Sequence, residues 1–175
     1  MMSERRTYTR GFSVTELLVV LGIIAVLLGF TFVMALRFKS SAGGVNCLSN
    51  LMQIRSALGA YAAEHGGRFP EPQVGDPSWE SLLRPRLPNT PFQCPADKEI
   101  FPTFGSSYDW RDTGDPATTL AGKLVSEARL SAVLIFDTFP GWHEKSMMNA
   151  AFVDGSARSM AEPECLGDLQ RSGLR

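Results

Sequence analysis

The sequence has little of what most enzymes and nucleic-acid-binding proteins require. It contains 2 histidines and 3 cysteines, and its 17 basic residues nearly balance its 18 acidic residues. It has no internal repeat, no phosphate-binding loop, no zinc-ligand spacing and no pairing of a nucleophile with a base. Because no basic run is present, a polybasic surface for nucleic acid or anionic lipid is not expected. The composition therefore predicts neither an enzyme nor a nucleic-acid-binding protein.

What the chain does have is one long apolar stretch near its start. The 25 residues of 12–36 carry a single ionisable side chain, that of Glu16. A helix rising about 1.5 Å per residue would extend them over roughly 37 Å, enough to cross a hydrocarbon core of about 30 Å. A carboxylate in such a helix costs free energy and usually has a partner. We therefore expect a transmembrane helix over 12–36 in which Glu16 is one half of an interaction.

A short basic segment precedes the apolar stretch. Residues 1–11 hold three arginines and one glutamate. A secretory signal peptide has an apolar core of about 7 to 15 residues followed by a small-residue cleavage site. Here the apolar run is longer and the small residue, Gly11, comes before it. We therefore expect residues 1–11 to be a cleaved leader and the apolar helix to remain in the mature chain.

The run Gly11-Phe12-Ser13-Val14-Thr15-Glu16, placed after a basic leader, resembles the N-terminal segment of type IV prepilins and type II secretion pseudopilins. The resemblance implies that a prepilin peptidase cuts between Gly11 and Phe12 and that the new N terminus at Phe12 is methylated. It also implies that Glu16 neutralises the α-amine of a neighbouring subunit during assembly. The alternative is an interfacial glutamate close enough to the helix end to snorkel to the membrane surface.

The same resemblance implies a location and a set of partners. The protein would be a single-pass protein of the bacterial inner membrane, with its N terminus in the cytoplasm and its head in the periplasm. Its partners would be other pilin or pseudopilin subunits, the prepilin peptidase, an inner-membrane assembly platform, an ATPase and membrane lipid. Subunits of this kind would polymerise through their helices into a fibre that drives protein export.

A function of a different class is a minor pilin or membrane-anchored binding module. Its head would recognise a surface, DNA or an exported substrate. Trp110, Phe139 and Trp142 are the candidates for such a binding face. The interpretation we favour for these lone aromatic residues is a place in the core.

A second helical pattern follows the apolar stretch. Residues 40–44 interrupt it, and their adjacent glycines, Gly43 and Gly44, predict a bend there. Over residues 45–64 apolar side chains recur at three- and four-residue steps, which predicts a helix with one buried face. His65 precedes two glycines and is expected at the helix C terminus. The predicted buried face consists of Val45, Leu48, Leu51 or Met52, Ile54, Leu58 and Tyr61.

The remaining sequence predicts one small antiparallel sheet. Residues 70–115 are rich in turn-forming residues and predict loops and short elements without a long helix or strand. We expect a helix over 117–129, a strand over 130–137 and a hairpin whose two-residue turn is Asp154-Gly155. The hairpin strands are predicted at 149–153 and 157–160. The predicted buried anchors of the loop region are Trp79, Leu82, Leu83 and Leu87.

These elements combine into an α+β, pilin-like fold. The predicted organisation is a leader over 1–11, a transmembrane helix over 12–36, the periplasmic part of the same long helix over 37–66 and a globular head over 67–175. The long helix is expected to pack on the small antiparallel sheet.

A histidine and an Asp-Gly pair mark the C-terminal region. His143 precedes Asp154-Gly155 with ten residues between them, and Cys94-Pro95-Ala96-Asp97 lies upstream. Both features resemble pilin-like proteins of environmental bacteria that carry a histidine, about nine residues and then Asp-Gly. Four side chains that flank adjacent predicted strands could form an oxygen-rich Ca²⁺ site. These are Asp137, His143, Glu144 and Asp154.

The interpretation we favour for these residues is structural. Asp154 would be selected for its turn conformation and His143 would hydrogen-bond a loop. No acidic triplet has the spacing of a dedicated calcium loop. Apart from a structural Ca²⁺ held by Asp137 and Asp154, the sequence predicts no cofactor.

The three cysteines are Cys47, Cys94 and Cys165. On the oxidising side of a bacterial inner membrane they predict one disulfide and one free thiol. The sequence alone leaves all three pairings open. The resemblance implies Cys47 with Cys94, because related chains carry a helix cysteine together with a Cys-Pro cysteine, and the rival pairing is Cys94 with Cys165.

Overall fold

The computed structural model describes residues 13–71, 78–87, 89, 91–143 and 146–175, with the backbone alone described over 31–43. The chain divides into two compact units, Met1–Lys39 and Ser40–Arg175. The leader and Phe12 lie outside the described residues.

The described backbone of the first unit is helical over residues 14–39. Helix α1 covers Val14–Glu64 and therefore begins in this unit. Large apolar side chains of α1 up to Phe30 are 44% to 76% exposed, with Val20 the least and Val14 the most exposed. In the part of the chain that the structure describes, no helical stretch combines the length and hydrophobicity needed to cross a lipid bilayer.

In the second unit, α1 buries one face. Cys47, Leu51, Ile54 and Leu58 are fully buried, at three- and four-residue steps. The sequence-based prediction was wrong for Val45, which is 67% exposed. It lies two positions before Cys47, about 200° around the helix axis at 3.6 residues per turn.

Two glycines terminate α1. Gly66 and Gly67 have φ angles of 65° and 78°, a conformation that costs residues with a Cβ. The Gly67 N–H donates to the Ala62 carbonyl at 2.7 Å, which satisfies one of the carbonyls of the last turn. His65 follows the last helical residue directly, as predicted. Its ring stacks on that of Tyr61.

A four-stranded antiparallel sheet forms the centre of the second unit. Its strands are β1 (Tyr108–Trp110), β2 (Val133–Asp137), β3 (Met147–Phe152) and β4 (Ala157–Ala161), in that spatial order. In the described part of this unit, three short α-helices accompany the sheet: α2 (Trp79–Leu83), α3 (Ile100–Phe104) and α4 (Glu162–Leu169). A 3₁₀ turn over Arg84–Arg86 extends α2. The α+β class and the small antiparallel sheet are confirmed.

The predicted hairpin is present, but its turn is longer than two residues. The Phe152 N–H donates to the Ser156 carbonyl at 2.8 Å, so three residues connect the strands. The Gly155 N–H donates to the Phe152 carbonyl at 3.1 Å, and Gly155 has a φ of 95°. A turn followed by a left-handed glycine is the usual three-residue hairpin connection.

The helix predicted over 117–129 is wrong. Residues 117–129 form turns interrupted by two isolated bridges, one from Leu124 to Arg68 and one from Ala128 to Leu174. Gly122, with a φ of 70°, lies in the middle of the segment. Backbone pairing with remote segments therefore replaces the local helical bonds.

The sheet separates two hydrophobic clusters. Leu51, Ile54 and Leu58 of α1 share the larger one with sheet residues that include Trp110 and Leu134. The smaller cluster gathers Val133, Met148, Ala150, Phe152, Met160 and Cys165. Leu83, among the predicted anchors, is fully buried in the larger cluster, while Trp79 and Leu87 are partly buried against it.

An irregularity in β2 determines which side chains reach each cluster. The β2–β3 register shifts between Val133 and Ile135, so strict alternation is broken there. Val133 packs in the smaller cluster, whereas both Leu134 and Ile135 pack in the larger one. The apolar run that predicted this strand is therefore used on both faces of the sheet.

Candidate functional site

Glu16 lies in the first turn of α1, where it accepts a hydrogen bond from the Ser13 backbone N–H at 2.9 Å. Ser13 followed three residues later by glutamate is the arrangement of a capping box. The Glu16 carboxylate therefore has a local structural contact in this chain. Gly11 and Phe12, the predicted cleavage and methylation residues, lie outside the described residues.

The disulfide joins Cys47 to Cys94, with their Cα atoms 5.4 Å apart. The pairing that the resemblance implied is confirmed. The bond connects α1 to the loop before α3, and both cysteines are fully buried. Cys165 is the free cysteine and lies in the smaller hydrophobic cluster, where burial raises the pKa of its thiol to about 12.

His143 lies against this disulfide. Its Nε2 atom is 3.5 Å from Cys94 Sγ and 3.8 Å from Asp137 Oδ2. The ligand atoms of Cys47, Cys94 and His143 all lie within 4.8 Å of one another. We refer to Cys47, Cys94, Asp137 and His143 as the His143 cluster.

Several elements of the second unit build the cluster. Cys47 comes from α1, Asp137 ends β2, and His143 follows β2 in the connection to β3. Gly44 of α1 lies beside the imidazole, since a Cβ at that position would be 3.9 Å from the ring atoms Cγ and Nδ1. A small residue at position 44 therefore leaves room for the His143 ring.

Burial controls the protonation of the cluster. Burial raises the pKa of Asp137 to about 7, against the opposing effects of the Asn149 N–H, which donates to Oδ2 at 2.8 Å, and of the Asn149 side chain. Burial also lowers the pKa of His143. Both groups are therefore biased toward their neutral forms, and their 3.8 Å contact is not a strong ion pair near neutral pH.

Two buried polar atoms beside the cluster are unsatisfied. Among the described residues, neither Asp137 Oδ1 nor Asn149 Nδ2 makes a hydrogen bond of standard geometry, although the Asn149 side chain lies close enough to the carboxylate to lower its pKa. An unpaired buried polar atom costs about 1 to 3 kcal/mol. Such atoms are uncommon in well-packed proteins and call for a specific explanation.

The Cys-Pro-Ala-Asp segment supports the cluster from one side. The Cys94 N–H donates to Ser107 Oγ at 2.9 Å, and that hydroxyl donates to Asp97 Oδ2 at 2.6 Å. Asp97 also accepts the backbone N–H groups of residues 99, 100 and 101 at the start of α3. Although burial opposes the change, these donors lower the pKa of Asp97. The segment thus fixes the position of Cys94.

The structure does not bring Asp154 to this cluster. Asp154 lies in the hairpin turn and accepts hydrogen bonds from the Ser156 hydroxyl and N–H at 2.6 and 2.8 Å, which lower its pKa. The turn adjoins the start of β2, since the Val153 N–H donates to the Ala132 carbonyl at 3.1 Å. Asp137 ends that strand, roughly five residues or about 16 Å away at about 3.3 Å per residue.

The proposed Ca²⁺ site is therefore not assembled by Asp137 and Asp154. Glu144, which was to contribute to it, lies outside the described residues. Asp154 instead has the turn geometry that the structural interpretation predicts.

No spacing in the sequence reveals the His143 cluster, because Cys47 and Cys94 are 47 positions apart and both precede β1 and β2. Comparisons with protein-family models, curated proteins and solved structures found no match to this chain. What brings these side chains together is the disulfide and the sheet register, which places Asp137 opposite Tyr108.

A second buried polar group was missed by the sequence analysis. The Arg111 guanidinium is fully buried and donates to Asp168 Oδ2 at 2.9 Å. Asp168 also accepts bonds from Arg129 at 2.6 Å and from the Val133 N–H at 2.8 Å. We refer to Arg111, Arg129 and Asp168 as the Arg111 cluster. A single arginine in a loop-rich stretch carries no sequence signal for burial.

The predicted aromatic face is only partly exposed. Trp110 is 2% exposed and belongs to the core, as favoured above. Phe139 is 57% exposed, and Trp142 is partly buried against the core. Together with Ile100 they line a shallow groove of about 290 Å³ that also includes Ala96, Lys98 and Glu99.

Proposed function

We propose that this chain is a pseudopilin-like subunit of a type II secretion or type IV pilus-type fibre, processed by a prepilin peptidase and polymerised through its N-terminal helix. The observation that carries the proposal is the Gly11-Phe12 step with Glu16 at the start of an apolar helix. In this proposal the subunit acts mechanically in protein export and has no catalytic role.

The exposed apolar surface of the N-terminal unit supports the proposal. Side chains from Val14 to Phe30 expose between 44% and 76% of their area. A large contiguous apolar surface of this kind requires a partner. In a pilus-type subunit, lipid covers this surface before assembly and neighbouring helices cover it in the fibre, so residues 12–36 would span the inner membrane.

The disulfide agrees with a periplasmic head. Structural disulfides persist in oxidising compartments such as the bacterial periplasm. The Cys47–Cys94 bond is buried and links α1 to the head's loop region. Under the proposal, the N terminus faces the cytoplasm, and the partners are like subunits, the peptidase, the assembly platform and its ATPase.

The first test concerns processing. We expect co-expression with a prepilin peptidase to remove residues 1–11 and to leave a methylated Phe12, as measured by intact-mass analysis of membrane-extracted protein. Gly11→Leu should block cleavage because the peptidase requires a small residue at this place in the resembled pattern. A mature N terminus elsewhere, or efficient cleavage of Gly11→Leu, would contradict the assignment.

The second test separates the two roles of Glu16. Glu16→Gln removes the charge but keeps an oxygen that accepts the Ser13 N–H, since glutamine also serves in capping boxes. Glu16→Ala removes both. If Glu16 neutralises a neighbouring amine, both variants should insert and be cleaved yet fail to assemble, as measured by cysteine crosslinking along the helix. Normal assembly of Glu16→Gln would assign Glu16 to capping alone.

The shallow groove supports a second candidate function, an anchored module whose head binds an exported substrate. Phe139 is exposed enough for its replacement to leave the core intact. Phe139→Ser should then leave processing and assembly unchanged while reducing export of a substrate protein. Unchanged export would remove the support that the groove gives to this function.

A further inference from the structure

The His143 cluster contains the donor types of a zinc site. Two cysteine sulfurs and an imidazole nitrogen lie within 4.8 Å of one another, and a carboxylate oxygen is 3.8 Å from the same nitrogen. The cysteines and Asp137 are fully buried, and the His143 side chain is 8% exposed. Thiolate, imidazole and carboxylate are the ligands that Zn²⁺ takes in proteins.

We propose that Cys47, Cys94 and His143, with Asp137 as the fourth ligand, bind Zn²⁺ when the two cysteines are thiols. The disulfide and the metal site are then two alternative states of the same residues. This inference does not depend on the proposed function, because it uses only side chains of the second unit.

The interconversion balances with a dithiol reductant. The reductant transfers two electrons to the Cys47–Cys94 bond, is itself oxidised to a disulfide, and leaves two cysteine thiols. Zn²⁺ then displaces one proton from each thiol and binds the two thiolates. In the reverse direction, an oxidant that reforms the disulfide removes both sulfur ligands and releases the metal.

The distances fit a tetrahedral centre. Bonds of about 2.3 Å to sulfur and about 2.1 Å to nitrogen or oxygen set a sulfur–nitrogen edge of about 3.6 Å and a nitrogen–oxygen edge of about 3.4 Å. The observed Cys94 Sγ to His143 Nε2 distance is 3.5 Å, and His143 Nε2 to Asp137 Oδ2 is 3.8 Å. After reduction, the sulfur–sulfur separation has to increase. Asp137, which is not among the three side chains whose ligand atoms all lie within 4.8 Å of one another, also has to move closer to the sulfurs.

The unsatisfied carboxylate is an independent indication of a ligand. Asp137 is completely buried, its Oδ1 makes no hydrogen bond of standard geometry in the described residues, and the neighbouring Asn149 side chain supplies no positive charge. Buried carboxylates without a compensating charge are rare unless they bind a metal or a partner. A divalent cation between Asp137 and the thiolates would supply that charge.

The experiment compares the two redox states of the full chain in detergent. Because both cysteines are buried, the protein is reduced with a phosphine in denaturant and refolded anaerobically with or without Zn²⁺. We expect one Zn²⁺ per reduced chain after removal of free metal and none bound by the oxidised chain. Binding should release at least two protons per metal, two from the thiols and a further fraction from the protonated Asp137 carboxyl. Co²⁺ in place of Zn²⁺ should give the absorption bands of a tetrahedral thiolate site.

Matched variants identify the ligands. Cys165→Ser removes the free cysteine, which lies outside the cluster, and should bind Zn²⁺ as the reduced wild type does. His143→Gln and Asp137→Asn should each weaken binding at least tenfold, and the double variant Cys47→Ser/Cys94→Ser should bind none. Zn²⁺ should also raise the thermal midpoint of the reduced wild type but not of the oxidised protein, a measurement that needs no variant to fold.

Three results would overturn the proposal. The first is a reduced, folded wild type that binds no Zn²⁺. The second is equal Zn²⁺ binding by the Cys47→Ser/Cys94→Ser variant. The third is equal stabilisation of both redox states by Zn²⁺. Unchanged affinity in Asp137→Asn would overturn the assignment of the fourth ligand.

Discussion

Asp137 and Asp168 are both buried aspartates, 0% and 7% exposed, but they differ in the hydrogen-bond and charge partners of their carboxylates. Asp168 meets two arginines and a backbone N–H, so both of its oxygens are hydrogen-bonded. Asp137 meets the backbone N–H and the side chain of Asn149 and a histidine biased toward its neutral form, and its Oδ1 makes no hydrogen bond of standard geometry in the described residues.

The difference teaches how to separate a structural charge from a candidate site. The pKa of Asp168 is lowered, although burial acts in the opposite direction, because its carboxylate accepts hydrogen bonds from the Val133 N–H and Arg129 and lies beside the positive charges of Arg129 and Arg111. No cation answers Asp137 in the described residues, and its pKa is raised to about 7. A buried charge with all of its partners is costly to disrupt, whereas a buried carboxyl that lacks a cation is biased toward its protonated form or needs a ligand.

The strongest test of this comparison removes a partner from the satisfied cluster. Arg111→Met should reduce the free energy of unfolding by about 3 to 5 kcal/mol, because it deprives the buried Asp168 of a cation. It also removes the donor to the Asp168 and Arg171 carbonyls. Urea unfolding of the full chain in detergent, followed by tryptophan fluorescence, measures the change.

Arg171→Met is the matched control, since it makes the same substitution at an exposed arginine nearby. It should change the free energy of unfolding by less than about 0.5 kcal/mol. An equal loss of unfolding free energy at the two positions would show that the buried contacts of Arg111 make no particular contribution to stability.

The disulfide tests the other cluster. Cys47→Ala/Cys94→Ala opens a loop of 47 positions and should cost about 2 to 4 kcal/mol of unfolding free energy. Hydrogen exchange should increase over residues 91–97 and 139–143, near His143, and stay low in α4. Cys165→Ala, which removes a buried sulfur without a bond, should cost about 1 kcal/mol. Equal loss of protection in α4 would mean that the clusters are not independent.

The pH dependence of stability should have opposite signs for the two aspartates. The folded pKa of Asp137, about 7, exceeds the unfolded value of about 3.9. Its contribution to the free energy of unfolding is therefore greatest at low pH and is lost as pH rises toward 7. The folded pKa of Asp168 is lowered, so its contribution is present above about pH 4 and is lost as pH falls.

Comparison of the metal-free, disulfide-bonded wild type with Asp137→Asn isolates the first effect. The difference in unfolding free energy between them should fall by roughly 2 to 3 kcal/mol from pH 5 to 7, at about 1.4 kcal/mol per unit. His143, whose lowered pKa acts in the opposite direction, is present in both chains and cancels. Asp168→Asn should show no such fall, and a flat difference for Asp137→Asn would refute the raised pKa.

The smallest effect is expected from an exposed ion pair. Arg158 and Glu164 lie 3.8 Å apart with side chains 58% and 61% exposed. Glu164→Gln should change the free energy of unfolding by less than about 0.5 kcal/mol because water screens the pair. Arg158→Ala should cost somewhat more, since its guanidinium also lies 4.3 Å from the centre of the Phe152 ring. A larger change in unfolding free energy for Glu164→Gln would contradict the view that burial decides how much a charge pair contributes to stability.

Local patterns predicted the elements whose bonds are local. The steps between Leu51, Ile54 and Leu58 predicted the buried face of α1, and the Asp154-Gly155 pair predicted the hairpin. The segment 117–129 was mispredicted because its backbone pairs with Arg68 and Leu174, more than forty residues away on either side. Sequence periodicity contains no information about such remote pairing.

The sites divide in the same way. The Glu16 motif is contiguous and therefore visible in the sequence, but its capping contact with Ser13 was not predicted. The His143 cluster needs the β1–β2 register and the disulfide before Asp137, His143 and the sulfurs meet. Arg111 becomes buried only because remote carbonyls and Asp168 surround it. These arrangements depend on the fold as a whole.

The Cys47–Cys94 bond also determines how the chain transmits tension. If α1 is pulled through its N-terminal end while the C-terminal part of the head is held, force passes from Cys47 directly to Cys94. Residues 48–93, which include the glycine-terminated end of α1 and all of α2, then lie outside the path of the force. With the bond open, the same pull could extend them at up to about 3.6 Å per residue. Two-electron reduction of this disulfide therefore increases the length of chain that can be extended under tension.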